Sequence, residues 1–194
     1  RPAGSFLATI APSFAKVRRM SGPLVEDDGG ASARLPGELL AEARAFLPWM
    51  VEVRRDLHRH PELGLEEHRT SARVRALLTE LGVPHVGGLA GTGVLGTISG
   101  ERGGRVVALR AALDALPLQD AKEVPYRSEI PGRMHACGHD VHTTVLLGAA
   151  RLLRERLRGR PGTVKLIFLP AEETVATDLA NTSRASPPIP SMVT

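Results

Sequence analysis

The densest group of chemically capable side chains lies in the segment RMHACGHDVHTT, residues 133–144, which holds three histidines, an aspartate and the only cysteine of the chain. Metals such as zinc and manganese bind thiolate sulfur, imidazole nitrogen and carboxylate oxygen. Cys137 and His139 are two residues apart, so in an extended or turning backbone both side chains point the same way. Gly138 between them allows a close bend around an ion. The alternative interpretation is a buried structural cysteine beside histidines that cap a helix.

Two further segments carry acids after apolar runs. Glu172 and Glu173 follow FLPA, and strand ends are where α/β enzymes place their chemistry. Adjacent carboxylates repel unless a cation or a proton lies between them. One could bind a metal while the other takes a proton from water, although a solvated acidic pair is the ordinary case. Asp114 in ALRAALDALPL could orient a metal ligand, or it could be a helix cap or turn residue.

Apolar periodicity predicts the helices that must position these residues. From Pro36 onward, apolar residues recur at helical spacing, and Pro48 is expected to kink or divide that helix. A second helix is predicted over residues 66–82. Glu66 and Glu67 would lie in its first turn, where the helix dipole favours negative charge.

The apolar period then changes to that of strands. Strands are predicted over residues 91–100, 104–113 and 162–170, because these runs are short, rich in β-branched residues and bounded by glycine or proline. A helix is predicted over residues 139–158. Its apolar side is expected to contain Val141, Val145, Ala149, Leu152 and Leu153. Alternating helices and strands predict an α/β domain whose mixed sheet is flanked by helices.

The charge and hydropathy of the sequence argue against nucleic acid and membrane as partners. The 194 residues are enough for one domain with its own core. The net charge of +4 comes from four basic residues and no acid within residues 1–20, so the rest of the chain is balanced. A balanced body has no basic stripe for a phosphate backbone, which argues against nucleic-acid binding. No apolar run approaches the roughly 18 to 20 residues of a membrane span.

Both ends of the chain differ from its middle. Residues 1–35 are expected to be a disordered segment and linker. The basic start fits either a transit peptide or sequence that is not translated, since the first methionine is Met20. Residues 174–194 contain three prolines and many hydroxyl residues, and they are expected to form a disordered tail. The domain that carries the chemistry is therefore expected to span residues 36–173.

Four segments resemble successive motifs of the auxin-conjugate hydrolases. These plant IAA-amino acid amidohydrolases are members of the peptidase M20 metallopeptidase family, with hippurate hydrolases and aminoacylases. The resemblance covers about residues 36–173, in the family's order and spacing. The four segments are RRDLHRHPELGLEEHRTS, VALRAALDALPLQD, GRMHACGHDVHTTVLLGAARLL and GTVKLIFLPAEE.

The resemblance implies a centre of two divalent metals, manganese or zinc, that hydrolyses the amide between an acyl group and an amino acid. By position, Cys137, His139 and Glu173 would be metal ligands. Glu172 would be the general base that activates water and then protonates the leaving amine. Asp114 would support the metal site.

The resemblance also carries expectations about partners and location. The substrate would be a small N-acyl amino acid, and full-length relatives are expected to form homodimers. Similar plant proteins are often found in the lumen of the endoplasmic reticulum, although this sequence shows no clear signal peptide. No ligand role carries over to His142, which is assigned a structural role.

The chain departs from the family pattern at three places. Ala112 and Leu113 stand where the family usually has an acid and its neighbour, and Leu169 replaces a glutamine. Relatives continue after PAEE into an inserted dimerisation domain and two more metal-binding histidines, whereas this chain has no histidine after His142. The expectation is an N-terminal part with an incomplete catalytic domain, whose final strand is an exposed edge.

Two other functions remain open at this level. A truncated product could bind one metal weakly, or bind a full-length partner through its unpaired sheet. A cysteine hydrolase that uses Cys137 with a nearby histidine has the right residue types, but it leaves Glu172 and Glu173 unexplained.

Overall fold

The computed structural model describes residues 35–173, which form helices and one sheet. Predictions for residues 1–34 and 174–194 concern parts of the chain outside this range. No helix within the described range combines the length and apolarity that a membrane span needs. The elements are α1 Leu35–Ala45, α2 Leu47–Arg59, α3 His68–Glu80, β1 His85–Leu89, β2 Gly93–Ser99, β3 Glu101–Ala112, α4 His139–Arg156 and β4 Pro161–Leu169.

The sheet has the order β1-β2-β4-β3. β2 is antiparallel to both β1 and β4, whereas β3 is parallel to β4. This confirms the prediction of an α/β fold with a mixed sheet. Because α4 connects the two parallel strands, its amino end lies at the same edge of the sheet as their carboxyl ends. That edge is where α/β folds place ligands.

One face of the sheet is covered by helices. Val164, Leu166 and Phe168 alternate along β4 and are buried, while the residues between them are half-buried. Their side chains join a single apolar cluster that includes Leu57 of α2 and Leu147 of α4. This packing holds α4 against the sheet and so fixes the position of its first turn relative to the carboxyl ends of β3 and β4.

The first helical segment is divided as the sequence predicts. α1 ends at Ala45 and α2 begins at Leu47, so the break lies at Phe46. Pro48 lies in the first turn of α2, where a missing N–H costs no helical hydrogen bond.

The prediction that Glu66 and Glu67 occupy the first turn of a helix is wrong. α3 begins only at His68. The side chain of Glu62 instead accepts hydrogen bonds from the backbone N–H groups of Arg69 (2.9 Å) and Thr70 (2.7 Å). A carboxylate from before the helix therefore satisfies the free N–H groups of the first turn.

The expectation for the last strand is also wrong. β4 lies between β2 and β3, and the long edge strand is β3, on which Val106 and Val107 are exposed. Strand order depends on how the chain returns through α4, which local pattern does not reveal. Strand β1 was not predicted, because HVGGL carries two glycines and no apolar run.

The predicted apolar side of α4 is only partly correct. Val141 and Val145 are exposed, whereas the side facing the sheet carries Thr143, Leu146 and Leu147. The helix is thus apolar on more than one side, and periodicity alone did not separate the side that packs on the sheet.

Leu166→Ala should lower the free energy of unfolding by about 2–5 kcal/mol, because Leu166 is fully buried in the central strand and truncation leaves a cavity. Val106→Ala is the control, since Val106 is 69% exposed and should change stability by less than about 0.5 kcal/mol. Urea unfolding followed by circular dichroism measures both. Equal losses in the two variants would contradict the placement of β4 at the centre.

Candidate metal centre

The five site residues predicted from sequence meet at one edge of the sheet. Asp114 follows β3, Cys137 and His139 lie at the amino end of α4, and Glu172 and Glu173 follow β4. One donor atom each from Cys137, His139 and Glu173 lies within 4.8 Å of the other two. The meeting follows from the parallel pairing of β3 with β4, because their carboxyl ends reach the same edge.

His139 is held in one orientation by Asp114. Its Nδ1 lies 2.9 Å from the Asp114 backbone oxygen and 3.1 Å from the Asp114 Oδ1. Both partners are acceptors, so Nδ1 carries a proton and donates it. Nε2 then faces the carboxylates of Glu172 and Glu173, each 3.8 Å away. The contact with Asp114 raises the pKa of His139.

Asp114 connects two of the candidate ligands. Its second oxygen, Oδ2, accepts a hydrogen bond from the Glu173 backbone N–H at 2.8 Å. Burial on its own would raise the pKa of Asp114, but the hydrogen bonds from His139 and Glu173 outweigh burial and lower it. The buried carboxylate thus stays ionised and ties the first turn of α4 to the segment after β4.

Cys137 lies among negative charges. Its hydrogen bond to Glu173, then burial, then the charges of Glu173, Glu172 and Asp114 raise the pKa of the thiol to about 11. A thiol with that pKa is protonated at neutral pH and is a poor nucleophile. This counts against a cysteine hydrolase. Carboxylates converging on a thiol instead suit a cation, whose charge would favour the thiolate.

The segment after β4 makes a tight turn that sets the direction of both glutamates. Ala171 has a φ of +54°, a left-handed conformation that costs a non-glycine residue about 1–2 kcal/mol. Glu172 follows, and its Oε1 lies 3.0 Å from Nη2 of Arg110 on β3. Sequence reasoning missed Arg110, although a charged residue in the apolar run VVALRAAL, four residues before Asp114, was a usable signal.

A second buried polar cluster lies behind the candidate metal centre. His58 Nδ1 is 2.7 Å from Asp140 Oδ2, which is also 2.8 Å from Arg54 Nε. On the other side of the ring, Nε2 is 3.0 Å from Lys122 Nζ and 3.4 Å from Asp120 Oδ2. Each ring nitrogen of His58 therefore lies beside one carboxylate and one basic side chain, since Arg54 Nη2 is also 3.2 Å from Nδ1. The cluster joins α2, the loop before α4, and the first turn of α4.

Two more histidines lie close to these groups. His135 is buried, and neither of its ring nitrogens has a hydrogen-bond partner within residues 35–173. Burial lowers the pKa of His135 to about 4, so the ring is neutral at pH 7. His142, predicted to be structural, is exposed, with its ring centre 5.8 Å from that of His139.

Comparison with known proteins places the chain in a family. Residues 108–185 match the model of peptidase family M20/M25/M40. Over 134 residues the chain is 52% identical to IAA-amino acid hydrolase ILR1-like 5 of Arabidopsis thaliana, a match that covers 69% of this chain and 31% of that protein. The chain belongs to peptidase family M20. This confirms the resemblance drawn from the four motifs.

Bacterial proteins also match the chain. N-acetylcysteine deacetylase of Bacillus subtilis is 44% identical over 138 residues, covering 69% of this chain and 35% of the relative. The crystal structure of the YXEP protein of Bacillus subtilis, described as a dinuclear metal-binding peptidase of family M20, superposes with a TM-score of 0.65 at 41% identity. That match covers 72% of this chain and 40% of the other. The chain thus spans about a third of the length of these curated relatives.

Asp120→Asn should destabilise the protein at neutral pH, and the difference from wild type should shrink as the pH falls from about 4 to about 2. Burial acts to raise the pKa of Asp120, but hydrogen bonds from the N–H groups of Ser128 and Lys122 and from the Lys122 side chain hold it at about 2. A lowered folded-state pKa gives stability that is present above the ordinary value of 3.8 and is lost as the carboxylate protonates.

Urea unfolding at intervals between pH 2 and pH 7 measures this difference. Glu155→Gln, on an exposed side chain, is the control and should differ little from wild type at every pH. A difference for Asp120→Asn that stays constant down to pH 2 would contradict the assigned ionisation.

Proposed function

We propose that this chain supplies part of a divalent-metal centre in an amidohydrolase that cleaves the amide bond of N-acyl amino acids. The observation that carries the proposal is the convergence of Cys137, His139 and Glu173 within 4.8 Å, with Glu172 beside them. Because the chain spans about a third of its relatives' length, the proposal concerns the part of the site that these residues form.

The donor set fits a divalent cation. A thiolate, an imidazole Nε2 and a carboxylate oxygen are ligands that zinc accepts, and carboxylate oxygen also suits manganese. Asp114 gives His139 the carboxylate partner that metal-bound histidines usually have. These three side chains are the ligands that this part of the protein would contribute to the centre. The description of the YXEP structure as dinuclear supports two cations in the complete site.

The roles proposed for the residues are those that the family resemblance implies. A divalent cation supplies Lewis acidity, which polarises a carbonyl group and makes a nearby water more acidic. Glu172 takes a proton from the water whose oxygen attacks the amide carbon. The C–N bond then breaks as Glu172 passes that proton to the leaving nitrogen, giving a carboxylic acid and an amine. The ion pair between Glu172 and Arg110 is exposed and worth at most about 1 kcal/mol, so Glu172 can readily leave Arg110.

The substrate class is inferred from the relatives. An IAA-amino acid hydrolase and an N-acetylcysteine deacetylase both have names that describe hydrolysis at an acylated amino acid. The plant relative is the more similar of the two, at 52% identity. Conjugates of indole-3-acetic acid with amino acids are therefore the substrates we expect.

A second candidate function is non-catalytic. Within the described range, the outer edge of β3 has no strand beside it, and Val106 and Val107 are exposed on that strand. An exposed edge strand can pair with another chain. The chain could then bind a partner protein, or one metal weakly, without turnover.

Glu172→Gln should lower kcat by about 10²–10⁴-fold, because the glutamine side chain, unlike a carboxylate, cannot take a proton from water. The assay follows release of alanine from indole-acetyl-alanine, and of glycine from hippurate, with Mn²⁺ or Zn²⁺ added. Glu155→Gln, far from the site in an exposed ion pair, is the matched control and should keep wild-type kcat. Turnover that survives Glu172→Gln or needs no metal would contradict the mechanism, and the absence of turnover in wild type would favour the non-catalytic function.

Cys137→Ser should abolish the thiolate-to-cobalt charge-transfer absorption that wild type is expected to show when titrated with Co²⁺. The band requires a sulfur ligand, and Cys137 is the only cysteine of the chain. Bound Co²⁺ should also slow alkylation of Cys137 by iodoacetamide. Metal-independent turnover that alkylation removes would instead establish a cysteine hydrolase.

A further inference from the structure

Glu67 is a buried carboxylate outside the set of candidate ligands. The residue is 0% exposed, and both of its oxygens accept hydrogen bonds. Thr92 Oγ1 donates to Oε2 at 2.6 Å, and the backbone N–H of Ala171 donates to Oε1 at 2.7 Å. Both partners are neutral donors, and these two hydrogen bonds satisfy one oxygen each of a fully buried carboxyl group. Such burial is costly unless the geometry is fully satisfied.

The contact with Ala171 bears directly on the two site glutamates. Ala171 adopts a left-handed conformation, with a φ of +54°, immediately before Glu172 and Glu173. A non-glycine residue keeps such a conformation only when its surroundings enforce it. The direction in which Glu172 and Glu173 leave the backbone depends on this turn.

The segment 171–173 is thus held by two buried carboxylates. Glu67 accepts from the N–H of Ala171, and Asp114 accepts from the N–H of Glu173. Asp114 also orients His139, so it links Glu173 to α4. Glu67 links the same segment to the start of α3 and, through Thr92, to the turn before β2.

We propose that Glu67 is a positioning residue that fixes the Ala171 turn and thereby sets the placement of Glu172 and Glu173 for metal binding and proton transfer. The proposal rests on the proposed function. Glu67 acts through its hydrogen bond to the N–H of Ala171 and is not itself one of the candidate ligands. Its neighbour Glu66 is the natural comparison, because its side chain is exposed and pairs with Arg133 at 2.8 Å.

The experiment measures Co²⁺ affinity of the full chain by absorption titration, with urea unfolding of each variant to establish that it is folded. Glu67→Ala should weaken Co²⁺ binding by about 10–100-fold, the usual effect of removing a group that orients ligands. Glu66→Ala is the matched control and should keep wild-type affinity.

Two conservative variants distinguish a role of Glu67 in positioning the Ala171 turn from a general effect of removing a buried side chain. Glu67→Gln should retain most of the affinity, since the amide oxygen can accept from Ala171 while the amide nitrogen donates to Thr92. Thr92→Val leaves the carboxyl group in place but removes the donor that fixes its orientation toward the N–H of Ala171, so it should weaken binding measurably, though by less than Glu67→Ala does. If Glu67→Ala does not fold, Thr92→Val decides: wild-type affinity in that variant would overturn the proposal.

The outcomes distinguish this proposal from the proposed function. Wild type that shows no cobalt band dependent on Cys137 would overturn the proposed function itself. A normal band in wild type, with unchanged affinity in folded Glu67→Ala, would overturn only the role of Glu67. Where turnover is measurable, Glu67→Ala should lower kcat more than it raises KM, because Glu67 acts on the turn that places Glu172 for proton transfer.

Discussion

The two hydrogen bonds of the Asp114 carboxylate are the interaction on which the candidate site depends. One oxygen accepts from the imidazole of His139, and the other accepts from the backbone N–H of Glu173. These contacts exist because β3 and β4 are parallel neighbours and α4 returns between them, which brings three carboxyl or amino ends to one edge. The core packing of α4 and β4 is therefore a condition for the proposed chemistry, since a shift of either element would separate the candidate ligands.

The candidate site concentrates negative charge around the Cys137 thiol. Asp114, Glu172 and Glu173 all raise the pKa of the Cys137 thiol, so the site concentrates negative charge around a group that becomes a ligand only when it loses a proton. A divalent cation bound here would stabilise the thiolate and would offset the repulsion between the neighbouring carboxylates. The proton held on His139 Nδ1 leaves Nε2 as the nitrogen for that cation.

The sequence was sufficient for the candidate site and for most of the elements. The donors Cys137 and His139 are close in the chain, and Glu172 and Glu173 end an apolar strand, so spacing and strand ends revealed them. Glu67 was misassigned because its partner Ala171 lies 104 residues away, and no local pattern marks such a pair. The contact between His58 and Asp140 spans 82 residues and was missed for the same reason. The central position of β4 likewise depends on long-range pairing that periodicity does not encode.

X-ray absorption of the zinc-loaded chain reports the elements bonded to the metal, and so it tests whether Cys137, His139 and Glu173 together bind one divalent cation. If they do, wild type shows one sulfur at about 2.3 Å alongside nitrogen and oxygen ligands at about 2.0–2.2 Å, and the sulfur is lost in Cys137→Ser. A zinc ion surrounded only by nitrogen and oxygen in wild type would rule out this ligand set.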